Sequence, residues 1–155
     1  MFRVAAASRS EYLAATGGAG SDLERVDAFI RDAAPSLEVW FYDVGPDEPG
    51  MTFTMLGYGR FAYRPRKDAG ATVDWPVIGV AAQKNYSSVY LGVTQDDRPV
   101  LDLYRSRLNC TRSGRNNFSF RTFDQLDHAT LRDLIQLVAR IYADDPGNPV
   151  RYKQR

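Results

Sequence analysis

The chain has 155 residues, 44% of them hydrophobic and 25% charged, which fits one globular domain with a core of its own. Twenty lysines and arginines against 19 aspartates and glutamates leave a net charge of +1, which argues against a nucleic-acid coat protein and against a polybasic membrane binder. One cysteine excludes an intrachain disulfide framework, one histidine leaves little for histidine-based metal chemistry, and no apolar run approaches the roughly 20 residues of a spanning helix.

Residues 1–9 read as a flexible lead and Ser10–Thr16 as one or two helical turns, ended by the glycines of Gly17–Gly20. Ser21 and Glu24 form a capping box, and Leu23, Val26, Phe29, Ile30 and Ala33 then recur at helical spacing until Pro35. Glu38–Tyr42 reads as a strand and residues 43–50 as an acidic loop. A long extended segment follows over Met51–Arg64, with Gly57 and Gly59 as candidates for a bulge or a close backbone approach. Residues 65–75 suit a polar hairpin loop, Pro76–Gln83 a central strand, and Tyr86–Val93 its return after a turn at Lys84–Asn85. On that return Val89, Leu91 and Val93 share one parity, Tyr86, Ser88 and Tyr90 the other.

The pair Asp96–Asp97 with Pro99 predicts a short helix carrying Val100, Leu101, Tyr104 and Leu108 on its apolar side. After a basic loop over 109–116, Asn117–Phe123 reads as a last strand. Asp127 then opens the best helix, with a stripe of Leu131, Leu134, Ile135, Val138, Ile141 and Tyr142. Residues 144–155 read as a mobile tail. Adjacent strands with short polar links favour an antiparallel sheet, and two singly striped helices can both lie on one of its faces. The expectation is an α+β two-layer sandwich, one domain over 10–143, with the opposite sheet face at least partly open.

The ordered set Ala34–Glu38, Leu56–Arg64, Asp74–Val80, Lys84 with Tyr86–Leu91, Ser113–Arg115 with Phe118–Phe120, and Asp124–Asp127 leading into Leu131 resembles the YdhG-like family, catalogued as domain of unknown function 1801. The likeness runs over about residues 10–142; the acidic stretch at 43–50 and Ala81–Gln83 depart from it. It implies a frataxin-like α+β fold; the cytoplasmic location expected of the chain comes instead from the lack of a spanning run and of a signal-peptide core near the N-terminus. Some members of that family are regarded as iron chaperones, which makes iron a cofactor the resemblance allows.

Several groups are candidates for chemistry. By parity Tyr58, Arg60, Tyr86, Ser88, Tyr90, Ser119 and Arg121 share the face opposite the helices, where rings and guanidinium groups can stack on a planar ligand and pair with an anion. Arg112, Arg115 and Asn116 of the basic loop add possible anion contacts. Ordinary cross-strand packing, or a homodimer interface, accounts for the same side chains. The parity of Tyr58 and Arg60 depends on the strand being free of a bulge at Gly57 or Gly59. The carboxylates Asp22, Glu24, Asp27, Asp32, Glu38, Asp43, Asp47 and Glu48 offer oxygen ligands for iron, with a solvated charged face as the alternative. Cys110, flanked by Arg107, Arg112 and Arg115, is a candidate thiolate nucleophile with His128 as a distant partner, against the usual structural role of a lone cysteine. The reading that results is a non-enzymatic binding module for a small anionic or aromatic molecule, or for a protein partner. Ligand contacts would come from Tyr58, Arg60, Tyr86, Tyr90, Arg112, Arg115 and Arg121.

Overall fold

The computed structural model describes residues 3–45, 48, 52–64 and 70–153. Helices α1 (Arg9–Ala15) and α2 (Asp22–Ala33) come first, then strands β1 (Val39–Val44), β2 (Phe53–Tyr63), β3 (Val73–Ala82) and β4 (Ser87–Leu91). A small hairpin of β5 (Thr94–Gln95) and β6 (Arg98–Pro99) leads into 3-10 turns at Val100–Leu103 and Arg105–Arg107. Strands β7 (Arg112–Ser113) and β8 (Asn117–Phe120), a 3-10 turn at Phe123–Gln125, and helices α3 (His128–Asp144) and α4 (Asn148–Lys153) complete the chain. Among the described residues no helix is long and apolar enough to cross a membrane.

The helices start where the sequence supplies acceptors for their first amides. Ser21 Oγ accepts from Glu24 N, Glu24 reaches back to Gly20 N, and Asp127 accepts from Thr130 N. The sheet order is β1-β2-β3-β4-β8-β7, every neighbour antiparallel. Helices α2 and α3 touch each other and both touch β3, so they cover one face, as two striped helices should. α1 joins them there: Tyr12 is buried, its ring meets Phe41, and its hydroxyl accepts from Ala82 N at 2.7 Å. This is an α+β fold with one core, in which Leu23, Val26 and Ile30 share the interior with Leu131, Leu134 and Val138.

The register sets which residues meet the helices. Tyr58 stands opposite Val39 and Ile78, Leu56 opposite Phe41 and Val80, and Phe118 opposite Val89, all on the helix-covered face. Tyr58 is therefore interior, not on the far face: it is 1% exposed and its hydroxyl donates to Asp27 of α2 at 2.5 Å. Strand β2 is buried on both sides from Phe53 to Gly59, so alternation alone assigned its faces the wrong way round.

The expected break in β2 is at Gly59, whose φ of +70° is a left-handed value that a strand residue with a side chain avoids. No register shift accompanies it. Instead the sheet curls. In a flat sheet the five residues from Val80, the partner of Leu56, to Trp75 would span about 16 Å. Yet Trp75 lies with its ring centroid 5.1 Å from that of Tyr42, one residue beyond Leu56's partner on β1. The curl lets the far face pack on itself. Trp40 lies across Gly57, where a methyl group would come within 2.7 Å of its Nε1, and it donates to Gly59 O at 2.8 Å. Met55 similarly covers Gly79. Much of the far face beneath β1–β3 is closed in this way, with Tyr42, Met55 and Val77 buried and a recess of about 330 Å³ left beside Trp40, Arg60 and Asp74; its β4–β8–β7 half is accessible.

Three further expectations give way. Asp96 and Asp97 do not cap a helix: both take positive φ, 51° and 62°, and form the two-residue turn of the β5–β6 hairpin, a backbone state aspartate tolerates. The short helix is two 3-10 turns, and Pro99 sits in β6. The tail folds back as α4, anchored by Asn148, whose side chain exchanges bonds of 2.9 and 2.8 Å with the backbone of Thr94. Its Lys153 ammonium rests 4.1 Å from the centroid of Trp75 and 5.4 Å from that of Tyr63, where burial lowers the lysine pKa. The described part of the lead is tied down as well, Val4 O accepting from Thr54 and Arg3 pairing with Asp43. Residues 65–69 of the expected hairpin loop, most of the acidic loop at 46–51, and the last two residues lie outside the described residues.

Candidate functional site

The accessible half of the far face is built by alternation. Phe118 and Phe120 of β8, with Val89 and Leu91 of β4, turn into the core. The intervening Ser119, with Ser88 and Tyr90, therefore stands on the other side, and Tyr86 and Arg121, just outside the paired strands, line the same cleft as Ser119. Strand β7 adds Arg112, which pairs with Ser119. The turn from β3 to β4 closes with Gln83 N donating to Tyr86 O at 2.8 Å, and holds Asn85 and Tyr86 at the rim.

These elements enclose a cleft of about 400 Å³ lined by Asn85, Tyr86, Thr111, Arg112, Ser119 and Arg121. Its size is that of a small-ligand site. Arg112 donates to the Tyr86 hydroxyl at 3.2 Å, its guanidinium carbon 5.4 Å from the ring centroid, which orients ring and cation together. The floor is Ser119, buried and bonded to Ser88 at 3.0 Å between the hydroxyls. Arg121 is exposed, and its backbone is fixed because Gln125 Oε1 accepts from its amide at 2.7 Å. The same glutamine closes the Thr122 capping box and bonds the backbone of Asn109. Tyr90 is half-buried beyond the cleft lining, and burial raises its pKa, with a hydrogen bond to Ser88 opposing.

The cleft brings together two guanidinium groups that lack carboxylate partners; among the described residues Arg98, Arg107, Arg115 and Arg140 also lack one, but they lie outside it. Arginines 3, 9, 25, 31, 60, 105, 132 and 151 all pair with carboxylates. Among the described residues, Arg112 and Arg121 do not pair with a carboxylate, and none lines their cleft. The cleft thus holds two guanidinium groups, that of Arg112 against the Tyr86 ring, with no carboxylate among its lining residues.

A second cleft, of about 450 Å³, shares Asn85, Tyr86 and Arg121 with the first and continues to Lys84, Gln83 and Asp22. Asp22 Oδ1 there accepts from Phe123 N at 2.9 Å.

The other residues expected at the site lie elsewhere. Tyr58 is in the core. Arg60 sits at the curl, its guanidinium carbon 4.0 Å from the centroid of Trp40, and pairs with Glu38 and Asp74 at 3.2 Å each. The kink at Gly59 and the neighbouring carboxylates hold it there, away from the Tyr86 cleft. Arg115 lines a separate recess of about 200 Å³ with Asn116, Tyr152 and Lys153. Tyr86, Arg112 and Arg121 are the expected residues that the fold brings together. Sequence reasoning does not single out Asn85, Lys84 or Thr111 as lining residues; the turn at Lys84–Asn85 is the signal for the first two and the polar loop over 109–116 for the third.

The carboxylates considered for iron are individually engaged. Glu24 caps α2, Asp27 is buried against Arg9 and Arg31, Asp32 meets Arg132, and Asp43 meets Arg3. Glu48 accepts from Gly45 N, while Asp47 lies outside the described residues. Cys110 is a half-buried free thiol. His128 stacks on Phe123 at 4.3 Å and its Nε2 bonds Phe123 O, an arrangement that fastens the start of α3. No family model, curated protein or solved structure matches the chain.

Proposed function

We propose that this chain is a non-enzymatic, cytoplasmic binding module of the YdhG-like type, which takes a small anionic ligand carrying a planar ring in the Tyr86–Arg112–Arg121 cleft. The observation that carries this reading is the meeting of two arginines without carboxylate partners, one of them laid against the Tyr86 ring, in a single cleft that no carboxylate lines. Tyr86 offers a face for stacking, and the two guanidinium groups offer forked donors to a carboxylate or phosphate. Ser119 and Asn85 add neutral hydrogen-bonding groups that orient a ligand.

A thermal-shift series tests it. Adenosine monophosphate and 4-hydroxybenzoate are expected to raise the melting temperature in proportion to occupancy, whereas adenosine and inorganic phosphate do so weakly or not at all. The double variant Arg112→Ala, Arg121→Ala is expected to fold and to lose the response. Equal shifts in the variant and the parent would overturn the proposal.

A further inference from the structure

The two clefts beside Arg121 have complementary chemistry and share Asn85, Tyr86 and Arg121 as lining residues. The first offers a ring face and a guanidinium, Tyr86 and Arg112. The junction offers a cation, Arg121. The second adds Lys84, Gln83 and a carboxylate, Asp22, whose Oδ1 accepts from Phe123 N. A carboxylate there repels a second anion and accepts hydrogen bonds from hydroxyl groups. The two clefts together thus offer aromatic, cationic and hydroxyl-accepting groups.

We propose that the two clefts form one groove for a two-armed phosphoester of the nucleotide-sugar class. The base stacks at Tyr86 and Arg112, the phosphates lie at Arg121 and Lys84, and the hydroxyls of the second arm reach Gln83 and Asp22. The proposal rests on the reading of the Tyr86 cleft as an anion site and extends it to a second arm. The combined volumes, about 400 and about 450 Å³, exceed what a single ring with one anion fills.

Calorimetric titration with two probes separates the extension from its foundation. Adenosine monophosphate reports the first cleft alone; ADP-ribose reports both. ADP-ribose is expected to bind about tenfold tighter, the effect of one or two hydrogen bonds to a charged group. Asp22→Asn keeps the oxygen that accepts from Phe123 N and is expected to remove that advantage while leaving adenosine monophosphate unchanged. Gln83→Ala is an independent check at the same arm. Equal affinity for the two probes would overturn the second arm and leave the first cleft standing; binding of neither would overturn both. Tighter binding of an oligonucleotide than of ADP-ribose would show that the groove takes a polymer, and would also end the proposal.

Discussion

The hydroxyl of Tyr58 donates to Asp27 Oδ1 at 2.5 Å in the interior between β2 and α2, where both residues are 1% exposed. Arg9 reaches the same carboxylate from α1 and Arg31 from the next turn of α2. One buried carboxylate thereby ties α1, α2 and the sheet together, and its charge is offset by two guanidinium groups at the rim.

Tyr58→Phe removes one bond to a charged group and is expected to cost about 1.5–3 kcal/mol in urea unfolding. Asp27→Ala strands the Tyr58 hydroxyl and the Arg9 guanidinium together, and should cost more, about 3–5 kcal/mol. A loss below half a kcal/mol in either would show that the cluster does not hold the layers. Burial, reinforced by the Asp27 charge, pushes the Tyr58 pKa well above its ordinary value of 10.0. Its folded value exceeds its unfolded one, so this contribution is complete below pH 10 and is lost as pH rises beyond it.

Tyr12 supplies a narrower alkaline window. Burial raises its pKa from 10.0 to about 12, with the Ala82 amide opposing. Stability from keeping this phenol neutral is expected to be full below pH 10 and to disappear between pH 10 and about 12. Tyr12→Phe deprives Ala82 N of its acceptor and is expected to cost about 1–3 kcal/mol at neutral pH, while flattening stability against pH in that window. An unchanged alkaline limb in the variant would refute the assignment.

Gly59→Ala combines two penalties. The backbone has φ of +70°, and the added methyl group would come within 2.9 Å of Val77 Cγ2. The expected loss is about 2–4 kcal/mol by thermal or chemical unfolding, and a neutral effect would mean that the curl does not depend on this residue.

Arg60 and Arg121 should separate cleanly. Arg60→Ala removes two half-exposed ion pairs and the stack on Trp40, so stability should fall by about 1 kcal/mol with no change in the ligand-induced shift. Arg121→Ala should leave unfolding within about 0.5 kcal/mol of the parent and weaken anion binding. The converse pattern would move the site to the recess lined by Trp40, Arg60 and Asp74.

The sequence was most informative where one periodicity acted alone. Ser21 and Glu24 with the stripe from Leu23 to Ala33, and Asp127 with the stripe from Leu131, announced both long helices and their shared face. Alternation also placed Tyr86, Ser88, Ser119 and Arg121 together, because β4 and β8 are buried on one side and more polar on the other. It failed on β2, where both sides are apolar and the parity of Tyr58 carries no information about which layer covers it. The curl at Gly59 was signalled only as a glycine within a strand; its consequence, Trp75 meeting Tyr42, depends on long-range geometry that periodicity does not encode. Asp96–Asp97 was ambiguous because aspartate suits helix starts and left-handed turns alike. The site itself was half legible: ring and cations were visible, but which arginines would find carboxylates was decided by the tertiary fold.

That division of the arginines has a kinetic consequence. With the rest of the surface close to electrical balance, the field from Arg112 and Arg121 does not extend far beyond about 10 Å at 0.1 M ionic strength. An anion would diffuse to this protein without being drawn from a distance, and would sense the guanidinium pair only on arrival at the cleft. Added salt should therefore hasten release far more than it slows capture.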